Sequence, residues 1–162
     1  MGEAGSRDRS AMSKSFEDLR PGDSFCWHHH IRAEEETAFI ALSGDGNPLH
    51  LDDGFARIHG YRGKLVHGLL VSSFVLNAIR LACGTAGFVC LSQTLKYVKP
   101  VYPGDSIEVT VSVTRKSPVL RVLVLDATVT NQAGEVVLLG ETQVMVLDGK
   151  RVAPDQERSP QV

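Results

Sequence analysis

Between residues 107 and 113 the chain alternates without a break: Ile107, Val109, Val111 and Val113 are apolar, while Glu108, Thr110 and Ser112 are polar. A period of two belongs to a strand with one face buried and one face wet. Residues 119–129 and 135–147 are rich in β-branched side chains, and Asn131-Gln132-Ala133-Gly134 between them suits a hairpin turn. Residues 24–31 and 88–98 read as further strands, the second ended by Pro100 and Pro103. Val122-Leu123-Val124-Leu125 is apolar on both faces, which requires cover on both sides; one face is expected to take a helix and the other a second subunit.

The first half of the chain carries helical periods. Residues 33–42 open with Glu34, Glu35 and Glu36, acids that suit the positive end of a helix dipole, and Ala38, Ala41 and Leu42 follow as the apolar positions. Ser43-Gly44-Asp45-Gly46-Asn47-Pro48 is a stop signal, and a short helix is expected over 53–59 before a loop at 60–63. Residues 65–82 place apolar side chains over most of a helical wheel, leaving Ser73, Asn77 and Arg80 on one narrow stripe. Such a helix is expected to be enclosed nearly all round, with Arg80 as a structural residue that needs a polar partner. The simplest packing for one long buried helix followed by antiparallel strands is a curved sheet wrapped around the helix. This is an α+β fold of the hot-dog type, usually paired into a dimer.

Composition narrows the function. The 162 residues carry a formal net charge of −2, so there is no basic excess for a nucleic-acid backbone. No apolar run approaches the ~20 residues of a membrane helix, and the first fifteen residues have no apolar block of a secretory signal. Cys26, Cys83 and Cys90 read as buried thiols of a reducing compartment. The expectation is a cytoplasmic protein with flexible tails at 1–15 and 149–162 around one domain at 16–148.

The stretch Leu42-Ser43-Gly44-Asp45-Gly46-Asn47-Pro48-Leu49-His50 places a carboxylate and an imidazole five residues apart across a turn. Such a pair suits proton transfer near neutral pH. The same spacing fits an Asx turn in which Asp45 or Asn47 caps backbone amides. Pro48-Leu49 breaks the ligand alternation of a calcium loop, and no phosphate-binding glycine pattern is present. His28-His29-His30 alternates across a strand without a third ligand in view, so no metal is expected. His59, Arg62 and Lys64 form a small basic cluster, read either as a solvated loop or as a contact for the phosphates of a carrier.

Phe39, the run Leu42 to His50, Ala56 and the later Leu65-Val66-His67-Gly68 together resemble the signature of the MaoC-like (R)-specific enoyl-thioester hydratases, over about residues 16–147. The resemblance implies water addition across a trans-2-enoyl thioester, or its removal from an (R)-3-hydroxyacyl thioester. On that basis Asp45 and His50 match the catalytic dyad, and Gly68 matches the residue whose backbone N–H receives the developing oxyanion. Asn47 is expected to fix the turn or orient Asp45. Ser73 is expected either to reach the dyad or acyl pocket, or to bond a preceding carbonyl, and His67 either to touch substrate or to pack the helix start. Some relatives carry a second serine where this chain has Leu76. The resemblance implies no metal and no cofactor beyond the coenzyme A or phosphopantetheine of the substrate, an acyl-CoA or acyl carrier protein partner, and a homodimer. The alternatives are a hot-dog thioesterase and a non-catalytic acyl-binding subunit.

Overall fold

The computed structural model describes residues 14–84 and 87–147. In chain order these form β1 (Ser24–His30), α1 (Ala33–Ser43), α2 (Pro48–Leu51), α3 (Asp53–Ile58), α4 (Gly68–Cys83), β2 (Phe88–Tyr97), β3 (Ser106–Ser117), β4 (Val122–Asn131) and β5 (Val136–Val146). The strands make one antiparallel sheet in the order β1-β3-β4-β5-β2. Helix α4 packs against β3, β1 and β2, which is the α+β, hot-dog arrangement expected from the sequence. Nearly all of both tails lies outside the described residues. Lys14, assigned to the N-terminal tail, is held instead: its N–H donates to the Ala82 carbonyl at 3.2 Å and its Nζ pairs with Asp23 at 2.6 Å.

The core is the strict alternation of β3 set against one face of α4. Ile107, Val109, Val111 and Val113 point to Val71, Val75, Ala78, Ile79 and Ala82, and all nine are buried. Full burial of a Val, Leu or Ile side chain is worth ~1.5–3 kcal/mol, so this seam contributes substantially to holding α4 in place. A β-bulge between Val113 and Arg115 shifts the register against β4. Leu123, Val124 and Leu125 are all buried within the single chain, so the second subunit expected over 122–125 is not required there.

Several expectations are corrected. Helix α4 begins at Gly68 rather than 65 and is not enclosed all round: Leu69 is 67% exposed, Leu81 is 38% exposed, and Ser73 and Arg80 lie open. Arg80 is therefore no buried charge; its Nε donates to Asn77 Oδ1 at 3.1 Å. The faces of α1 are reversed. Ala38, Ala41 and Leu42 point outward, while Glu36 is buried and Phe39 and Ile40 are half-buried. Val119 and Leu120 belong to an exposed turn, and β4 starts only after Arg121, whose φ of 52° is left-handed.

The thiols also divide differently, since Cys26 and Cys90 are exposed and only Cys83 is buried. Burial pushes the Cys83 thiol up to about 11, and the thiolate is the reactive form. A disulfide reagent at mildly alkaline pH is therefore expected to titrate Cys26 and Cys90 in the folded chain and Cys83 only after denaturation. Three thiols reacting at one rate under native conditions would contradict this packing.

Candidate active site

The site starts where α1 stops. Gly44 adopts φ 70°, the left-handed C-cap, and its N–H donates to the Ile40 carbonyl at 2.9 Å. The chain then turns on its own side chains. Asp45 Oδ1 accepts the Asn47 N–H at 3.0 Å, and Asn47 Oδ1 accepts the Leu49 N–H at 3.1 Å as the N-cap of α2, with Pro48 at the first helical position. The Asx reading and the catalytic placement of Asp45 are thus compatible: Oδ1 is used in the turn and Oδ2 is left over. Asn47 fixes the turn.

His50 is set by the next segment. Its Nδ1 lies 2.8 Å from the Leu65 carbonyl oxygen, an acceptor only, so Nδ1 carries the hydrogen and Nε2 is the open ring nitrogen. The Leu65 N–H returns a bond to the Leu49 carbonyl at 2.9 Å, which clamps α2 to the segment leading into α4. That segment is tied to the sheet side by the Val66 N–H, which donates to the Val101 carbonyl at 2.8 Å. His67 is the N-cap of α4 and Gly68 its first residue. The first amides of a helix lack intrahelical partners and carry the positive end of the dipole. The Gly68 N–H has no hydrogen bond within the described residues.

Asp45 and His50 line one cleft with His67 and Gly68, but no hydrogen bond or ion pair joins Asp45 to His50 among the described residues. The imidazole beside Asp45 is His67, whose Nε2 stands 3.4 Å from Asp45 Oδ2. The His67 and His50 rings stack at 3.6 Å between centroids, 22° from parallel. Behind them lies Glu36, 3% exposed, which accepts from His67 Nδ1 and from the His67 main-chain N–H at 3.1 Å. His67 thus occupies the N-cap position without a side-chain cap bond and also forms a wall of the cleft. Glu36 is the group that sequence reasoning missed, hidden as one of three acids in a helix's first turn.

Ser73 does not reach the cleft; its Oγ donates to the Leu70 carbonyl at 2.6 Å and the residue is exposed. The neighbouring Ser72 is buried beside the cleft, its Oγ 2.9 Å from both the Gly68 carbonyl oxygen and Tyr97 OH. Tyr97 is the second missed residue. Its ring lies across Gly68 so closely that a Cβ at position 68 would meet Cε1 at 2.7 Å. Of the basic cluster, Arg62 and Lys64 line one cleft, where Arg62 is ion-paired with buried Asp105 and covers the Tyr102 ring, while His59 stands apart with Nδ1 donating to the Phe55 carbonyl at 2.8 Å.

Glu36, His50 and His67 bring candidate metal-ligand atoms within 4.8 Å of one another. The near-parallel rings cannot aim their nitrogens at one point, however, and both Nδ1 atoms already donate, so the cluster is a hydrogen-bond network. On the outer face of β1, His28 Nε2 meets Glu108 at 2.9 Å with Cys26 alongside. Cys26, His28 and Glu108 thus form an exposed group that takes in one histidine of the run and not His30. The cleft at the start of α4 has a volume of about 470 Å³ and gains apolar walls from Leu65, Val98, Pro100 and Val137.

Residues 23–134 match the family model described as "MaoC like domain". The chain belongs to the MaoC-like family. It is 32% identical to the (R)-specific enoyl-CoA hydratase of Rhodospirillum rubrum over 131 residues, 81% of this chain and 90% of that protein. The solved (R)-hydratase of A. caviae superposes with a TM-score of 0.75 at 31% identity, covering 81% of this chain and 99% of that one. A mitochondrial 3-hydroxyacyl-[acyl-carrier-protein] dehydratase of Arabidopsis thaliana is 39% identical over 98 residues, 60% of this chain and 57% of that protein. This MaoC-like chain is accordingly an enzyme of the hydro-lyase class.

The contact between Gly68 and Tyr97 yields a direct expectation. Gly68→Ala places a methyl group inside the tyrosine ring's contact distance at the mouth of the free amide. It is expected to lower kcat/KM of the hydro-lyase reaction by about tenfold or more while leaving the melting temperature within a few degrees. Unchanged kinetics would remove Gly68 from the site.

Proposed function

We propose that this MaoC-like chain reversibly hydrates trans-2-enoyl thioesters to (R)-3-hydroxyacyl thioesters, with coenzyme A or an acyl carrier protein as the handle. The observation that carries this reading is the meeting of Asp45, His50 and the unpartnered Gly68 N–H in one cleft. Asp45 and His50 hold a water between them. As its oxygen bonds to C3, one of the two groups takes the water proton and the other delivers a proton to C2, so that H and OH add across the double bond. Charge moves meanwhile onto the thioester carbonyl oxygen, where the Gly68 N–H at the positive end of α4 receives it. A donor of this kind is worth ~3 kcal/mol. His50 is well placed for proton transfer because its Nδ1–H is tied to Leu65 and only Nε2 can exchange. The apolar walls suit an acyl chain.

The working form in this reading is a homodimer of a cytoplasmic enzyme. Strand β2 is a sheet edge, and on and beside it Val89, Leu91, Tyr97 and Val98 are all more than 40% exposed. An edge with unpaired backbone groups and apolar side chains is a template for a second copy. Sedimentation equilibrium is expected to give twice the chain mass, and Leu91→Lys with Val89→Lys is expected to shift it toward one. A monomer at micromolar concentration would remove the dimer from the proposal.

Activity is tested with crotonyl-CoA. The enoyl-thioester absorbance is expected to fall without release of free thiol, and Asp45→Asn or His50→Ala is expected to cost about 10²-fold or more in kcat. Thiol release with no loss of the double bond would favour a thioesterase. Full activity in both variants would show that the two residues take no part.

A further inference from the structure

Glu36 and His67 are each 3% exposed, and the hydration chemistry above uses neither. A carboxylate this deep is costly unless its oxygens are satisfied. Among the described residues the hydrogen bonds to the Glu36 carboxylate come from His67: the main-chain N–H lies 3.1 and 3.3 Å from the two oxygens, and the ring Nδ1 bonds Oε1, with His50 Nδ1 farther off at 3.9 Å. A carboxylate only accepts, so Nδ1 carries the hydrogen and Nε2 is the ring atom left to act. Stacking on His50 and the Phe39 ring at 5.1 Å hold the imidazole plane. Nε2 is buried, has no hydrogen-bond partner among the described residues, and stands 3.4 Å from Asp45 Oδ2. Asp45 itself sits on a loop with its side chain 49% exposed, and only Oδ1 is anchored, by the Asn47 N–H.

We propose that Glu36 and His67 are positioning residues for Asp45: Glu36 fixes the tautomer and plane of His67, and His67 Nε2 holds the free oxygen of Asp45 toward the cleft. The proposal rests on the assignment of Asp45 to the chemistry above. A bare ring nitrogen and a carboxylate oxygen repel each other, and one proton between Nε2 and Oδ2 makes the contact attractive. Asp45 is thereby kept from turning into solvent.

A purely structural role for Glu36, as an acceptor for the start of α4, makes different predictions. Glu36→Gln retains a carbonyl oxygen for the His67 main-chain N–H but no longer forces the hydrogen onto Nδ1. His67→Gln keeps a donor near the place of Nε2, facing Asp45, whereas His67→Asn keeps one near the place of Nδ1, facing Glu36.

The experiment uses the full chain, with imidazole ¹⁵N NMR and crotonyl-CoA kinetics side by side. The native protein is expected to show a His67 Nδ1 proton far downfield, lost in Glu36→Gln, and a His67 Nε2 resonance that moves in Asp45→Asn. In Glu36→Gln kcat is expected to fall about tenfold or more with KM changed less than about twofold. His67→Gln is expected to keep about tenfold more kcat than His67→Asn, which serves as the readout if Glu36→Gln folds poorly. Retention of the native signals and kcat in Glu36→Gln, or equal kcat in the two His67 variants, would overturn the proposal. If the native chain does not hydrate crotonyl-CoA, the functional reading fails by itself. The Nε2 resonance then decides, and no shift in Asp45→Asn counts against the contact.

Discussion

The backbone donors at the start of α4 have no partners within the helix, and the site is organised around how each of them is met. The helix is pressed onto the sheet by the β3 seam, and its first residues line the cleft shared with Asp45, His50 and Tyr97. One donor, the His67 N–H, is answered by a buried carboxylate from α1. The next, at Gly68, is left open beside a cleft. A free amide at a helix start is ordinary at a protein surface, where water fills it. In a walled cleft such a donor suits developing negative charge, as the proposed hydration requires, because the local dielectric is lower.

Much of this was legible from the chain and some of it was not. The period of two in 107–113 reports one buried face directly, and β3 has it. The turn chemistry at 43–48 announced both the end of α1 and the presentation of Asp45, since glycine, proline and Asx residues act through local geometry. Helix α1 was misread because its inward face is not apolar. Glu36 points inward by virtue of a partner 31 residues away, and no local period carries that information. Without it, Ala38, Ala41 and Leu42 looked like the core face, yet Leu42 is 85% exposed. Tyr97 was invisible for a related reason: its approach to Gly68 joins the start of α4 to the end of β2, a meeting created by the sheet order.

The wheel of α4 was also read as more enclosed than one chain makes it. Leu69 and Leu81 are open, as are apolar groups along β2. Each is unremarkable singly, since over half of a normal surface is apolar. Their arrangement is less ordinary: they occur on one helix and on one unpaired sheet edge. Exposed apolar side chains together with unpaired backbone groups give a second copy both burial and hydrogen bonds. The proposed dimer thus accounts for the excess apolar character of the helix without requiring any change in the core.

The loop from Gly44 to His50 shows why folding and chemistry are hard to separate here. Asp45 uses one oxygen for the turn and the other for the cleft, so any change that loosens the turn also misdirects the carboxylate. His50 is similarly divided, with Nδ1 spent on Leu65 and Nε2 available. His67 repeats the division a third time, with Nδ1 spent on Glu36 and Nε2 left facing Asp45 at 3.4 Å. In all three, a bifunctional side chain is anchored through one atom so that the other has a defined direction. Anchoring through the side chain itself restricts rotamers more tightly than packing alone. It also lets a half-exposed loop hold the two groups proposed to react at the tolerance that catalysis demands.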